Sequence, residues 1–115
     1  MYQFSYAEVM EDGVADAKER ERQVLDRSIE LMRAAAQRGR NSNEAVEAIY
    51  YTRMLWIRFT EDLCLPDNQL EPELKANLIS IAIWILNETE KIRKRESDNF
   101  QGIVEITTII RDGLK

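Results

Sequence analysis

The side chains able to do covalent or acid–base chemistry are few in this sequence. Histidine is absent, which removes the commonest general base and transition-metal ligand. The single cysteine, Cys64, sits between Leu63 and Leu65 with no cationic neighbour in sequence. It therefore reads as a small buried hydrophobe rather than an activated thiolate. Glu61 and Asp62 are adjacent, which on a helix turns them to different angles, so they read as a solvated helix end and not as a carboxylate pair for acid–base work. No Gly-rich phosphate loop, Walker lysine or EF-hand spacing occurs. No catalytic residue, metal site or cofactor is expected, and the chain reads as a binding protein rather than an enzyme.

What remains is the chemistry of association. Lys91-Ile92-Arg93-Lys94-Arg95 is a basic run suited to RNA phosphates or an acidic partner. It is equally what the negative end of a helix dipole favours. No aromatic residue is interleaved for base stacking, and the net charge of −5 opposes non-specific binding to nucleic acid or anionic membrane. Direct nucleic-acid binding through residues 91–95 is therefore the weaker reading. Residues 61–73 carry five acidic side chains without one base and read as a solvated turn. The aromatic opening Tyr2, Phe4 and Tyr6 leaves two readings open, a strap packed permanently on the fold or one that yields a groove to a client helix.

These residues must be positioned by helices. A chain of 115 residues, 44% hydrophobic and 32% charged, with four Gly and two Pro, fits one domain of long regular elements. Ser5 and Glu8 have capping-box spacing, which allows a short extra N-terminal helix. From about Val14 to Arg38 an apolar stripe runs through Val24, Leu25, Ser28, Leu31, Met32 and Ala35, ended by Gly39. Whether Gly13 bends the start is undecided. Asn41 with Glu44 opens a second helix over roughly 43–65, which Pro66 ends. Pro72 fits the first turn of a third helix reaching about Arg95. Asp98 with Gln101 starts a fourth, to about Arg111. Its Ile103, Val104, Ile106, Thr107 and Ile110 favour strands, but Phe100, Ile103, Val104, Thr107 and Ile110 keep helical spacing and no second strand exists to pair with. The predicted fold is all-α, an antiparallel four-helix bundle.

The middle helices are apolar nearly all round, over Ile49–Phe59 and Leu78–Leu86. Such helices must be covered on most sides, by the N-terminal segment, a second copy in a homodimer, or a client. The longest apolar run is about nine residues, against the roughly 20 that span a bilayer, so no membrane role is expected. The opening MYQFSYAEVM lacks the basic and apolar regions of a secretory signal. With one cysteine besides, a cytoplasmic protein is expected.

The stretch Ala48–Leu65 (AIYYTRMLWIRFTEDLCL), then Asn68-Gln69-Leu70-Glu71-Pro72-Glu73-Leu74, then Leu78–Trp84 (LISIAIW) resembles the FlaF flagellar biosynthesis regulators of alphaproteobacteria. Tyr6-Ala7 before an acidic helix is similar too. The resemblance spans essentially the whole chain, although Pro72 is displaced from the Asn–Leu–Pro form of the turn. It implies a role in promoting flagellin synthesis and export, with flagellin as a chaperone-like client, and a functional pairing with FlbT, a regulator acting on flagellin messenger RNA. An adaptor that binds FlbT instead is the alternative. Tyr50, Met54, Trp56, Ile57 and Trp84, with Phe4 and Tyr6, are the expected partner-binding residues.

Overall fold

The computed structural model describes the backbone over residues 6–113 and the side chains over residues 19–113. Four helices run α1 Tyr6–Arg38, α2 Asn43–Leu63, α3 Pro72–Arg93 and α4 Phe100–Gly113. The fold is an all-α helical bundle. No strand occurs among the described residues. Phe4 lies outside the described residues, as does the side chain of Tyr6, so the strap reading falls outside them as well. Gly13 does not interrupt α1, which is one continuous helix of 33 residues, about 50 Å long at 1.5 Å per residue. The predicted capping residue Ser5 lies outside the described residues, and α1 begins at the first of them.

Each helix boundary has a local cause. Gly39 adopts φ 93°, the left-handed geometry that closes α1, and its N–H donates to the Ala35 carbonyl at 2.7 Å. The N-cap of α2 is Ser42 rather than Asn41. Its Oγ accepts from the Ala45 N–H at 3.1 Å and donates to the Gly39 carbonyl at 2.7 Å, tying the end of one helix to the start of the next. The connection 64–71 is organised by Asn68, whose side chain accepts from the Leu70 N–H and donates to the Asp62 carbonyl. Pro72 then opens α3 in the first turn. At the start of α4 the capping role falls to Asn99, not Asp98, because Asn99 Oδ1 accepts the Gly102 N–H at 3.0 Å.

The strand-favouring run 103–110 is helical because one face is apolar at helical spacing. Phe100, Ile103, Val104 and Thr107 are buried, and Ile109 on the far side is 70% exposed. Helix α4 packs on α1, and α2 packs on both α1 and α3. One continuous core results, with Leu25, Met32 and Ala35 from α1, Ile49 and Trp56 from α2, Ile85 and Ile92 from α3 and Ile103 from α4. Polar links fix the register between helices. Ser28 and Thr52 share a buried 2.8 Å hydrogen bond across α1–α2, Arg111 reaches Asp26 at 2.8 Å across α4–α1, and Arg53 donates to the Leu86 carbonyl and Thr89 hydroxyl across α2–α3.

Two readings of the sequence are corrected by burial. Trp56 is fully buried, so it is a core residue and offers no surface to a partner. Cys64 is exposed, because α2 stops at Leu63 and the cysteine becomes its C-cap. Helix α3 ends at Arg93 with Lys94 as its C-cap, within two residues of the expected end.

Candidate functional site

Helix α2 is flanked by two concave surfaces that differ in the charges lining them. The first is a groove of about 350 Å³ between α1 and the C-terminal half of α2. Val24, Tyr51, Met54, Leu55 and Phe59 line it, and Glu21, Arg58 and Asp62 supply its charged groups. Tyr51, Leu55 and Phe59 recur every four residues, with Met54 and Arg58 beside them, so consecutive turns of one helix present a single wall. Trp56 acts on this groove from beneath. Its ring stacks on Phe59 at 5.5 Å between centroids and 8° between planes. The indole Nε1 is buried without a hydrogen-bond partner, an expense that the stacking and burial of the large ring offset.

The second cavity, about 500 Å³, lies at the end of the bundle where α1 and α3 finish and α2 begins. Arg40, Asn41, Val46, Ile49, Tyr50, Arg53, Arg93 and Arg95 line it. Its floor is built by the close of α3. Lys94 is the C-cap, and Arg95 takes a left-handed φ of 64°. The Glu96 N–H then returns to the Lys91 carbonyl at 2.8 Å and the Arg95 N–H to Ile92 at 3.0 Å, the paired bonds of a Schellman turn. Arg40 donates to the Arg95 carbonyl at 3.2 Å, joining the two interhelical connections. Glu90 bonds Arg93 and lies 3.7 Å from Arg53. The Arg93 hydrogen bond holds the Glu90 carboxyl below its ordinary value, with the charges of Arg93, Arg53 and Lys94 adding to that effect and partial burial opposing it.

The residues singled out from the sequence separate between these surfaces. Met54 lines the groove and Tyr50, 69% exposed, lines the arginine cavity. Ile57 and Trp84 are exposed at 37% and 40% but line neither. Tyr51, Leu55, Phe59 and Val24 are the groove residues that sequence reasoning left undistinguished from core. For Tyr51, Leu55 and Phe59 the signal is a second stripe beside the core stripe of α2, at the same spacing. The basic run 91–95 was found in the sequence, but its partners Arg40, Tyr50 and Arg53 come from distant positions.

Among the described residues no cluster of His, Cys, Asp or Glu is arranged to hold a metal ion, and no helix is long and apolar enough to cross a membrane. No curated protein and no solved structure matches the chain significantly. The profile of flagellar protein FlaF matches residues 2–114. The chain, with its Tyr50-Tyr51 pair on the second helix and its Asn68–Pro72 turn, therefore belongs to the FlaF family of flagellar proteins.

Proposed function

We propose that this FlaF-family chain binds flagellin in the α1–α2 groove, in the manner of a cytoplasmic chaperone, and thereby promotes flagellin synthesis and export. The observation that carries this reading is the groove itself. An open apolar trough walled by Tyr51, Met54, Leu55 and Phe59, with charge at Glu21, Arg58 and Asp62, suits an amphipathic client helix that lays its apolar face into it. The aromatic wall residues are the types that dominate binding energy in such interfaces. Family membership supports the flagellar setting.

The test is calorimetric titration of the purified protein with full-length flagellin and, separately, with FlbT. One-to-one flagellin binding is expected, weakened by about tenfold or more, or 1.4 kcal/mol, in Met54→Glu. Helicity and thermal stability should stay near wild type in that variant, because Met54 is only partly buried. Trp56→Ala is unsuitable for this purpose, since it would disturb the core. Binding of FlbT with no binding of flagellin would overturn the chaperone reading in favour of an adaptor in translational control.

A further inference from the structure

The cavity at the end of the bundle is independent of the groove, and four guanidinium groups converge on it. Glu90 is the one carboxylate seen bonded to any of them, and it engages Arg53 and Arg93. Arg40 and Arg95 have no carboxylate partner among the described residues. Like charges gathered in a concave surface repel one another unless an anion enters, and such a cleft focuses its field on that anion. The placement of Arg95 points the same way. A left-handed φ of 64° disfavours any L-residue, and helix ends of this kind are ordinarily closed by glycine. Here the strained position carries a long cationic side chain that lines the cavity.

Tyr50 supplies a second kind of contact. It projects from α2 beside Arg93 and Arg95, so the fold provides the aromatic ring that the basic run lacks in sequence. Val46 and Ile49 add apolar lining. The volume of about 500 Å³ falls in the range of small-molecule sites. A compact ligand also fits the electrostatics better than a polymer does. The protein as a whole is acidic, at −5, and charges beyond about 8–10 Å are screened at physiological salt. An anion held inside the cavity lies within that distance of all four arginines. Phosphate groups match several guanidinium forks at once, more fully than single carboxylates.

We propose that this cavity binds a nucleoside phosphate, with the phosphates on Arg40 and Arg95 and the base against the ring of Tyr50. The experiment is titration of the isotope-labelled protein with ADP, GDP and inorganic pyrophosphate, followed by NMR amide and arginine side-chain shifts. Saturating shifts at Tyr50, Arg40 and Arg95 are expected below about 1 mM nucleotide. Arg95→Gly separates binding from folding. Relief of the left-handed strain should raise its melting temperature, while nucleotide affinity falls about tenfold or more. Tyr50→Ala should weaken ADP and leave pyrophosphate unchanged. The absence of saturable nucleotide binding would overturn the proposal, as would wild-type affinity in Arg95→Gly. So would binding of a single-stranded RNA oligomer or a glutamate-rich peptide where ADP fails. The flagellin titration reports on the other side of α2, so either reading can fail alone.

Discussion

Tyr50 and Tyr51 are neighbours in the chain, yet they line different cavities. A step of one residue along a helix turns the side chain by about 100°. The groove containing Tyr51 lies against α1, where apolar side chains from two helices leave an unfilled trough. The cavity containing Tyr50 lies where helices end, and four of its lining side chains are arginines. The contrast shows how a helix apolar over most of its circumference can serve a core and two separate surfaces. It also separates what holds each region. The groove wall rests on buried packing through Trp56, whereas the arginine cavity rests on turn geometry and on the Glu90 carboxylate.

The largest expected effect breaks the groove from below. Trp56→Ala should cost about 3–5 kcal/mol of stability, as large aromatic deletions in cores do, and should release Phe59 from the groove wall. Trp56→Phe should cost clearly less, because the indole N–H it removes has no partner. Chemical denaturation of both variants measures the difference, and equal losses would contradict the packing role.

A smaller effect lies between the two regions, at the α1–α2 seam that both depend on. Ser28→Ala strands the Thr52 hydroxyl in the core and should cost about 1–3 kcal/mol. Adding Thr52→Val should recover part of that loss, since no polar atom is then left unpaired. A double-mutant cycle by urea unfolding reads the coupling directly.

Thr107→Val serves as the control on the α1–α4 side, because Thr107 lines neither cavity. The Thr107 hydroxyl is buried and unpartnered, so its removal should stabilise the fold by roughly 1 kcal/mol while leaving flagellin and nucleotide titrations unchanged.

The smallest effect sharpens the arginine side through pH. The Glu90 pKa is lowered in the folded state, so its stabilisation is present above the ordinary carboxylate value near 4.5 and is lost as pH falls through the depressed folded value. Glu90→Gln should therefore lie below wild type at neutral pH and converge with it in acid. Parallel melting curves for the two proteins across that range would argue against the ion cluster.

The helices are legible in the order of residues alone. Pro72, Gly39 and the spacing of Phe100, Ile103, Val104 and Thr107 act within a turn or two of chain, where steric limits and periodic burial are local. Family-like residues from Ala48 to Trp84 were legible in the same way, because they are contiguous. Cap identities moved by a residue, from Asn41 to Ser42 and from Asp98 to Asn99, since adjacent polar residues compete for the same N–H groups and packing decides which one turns inward. Which apolar positions are covered depends instead on how the helices pack. Trp56 and Ile57 look alike in sequence, and the first is fully buried while the second is 37% exposed. Tyr50 meets Arg93 and Arg95 only because the connections after α1 and α3 fold to the same end, tied by Arg40 to the Arg95 carbonyl. Burial and charge convergence are properties of neighbours in space, and those neighbours are tens of residues apart along the chain.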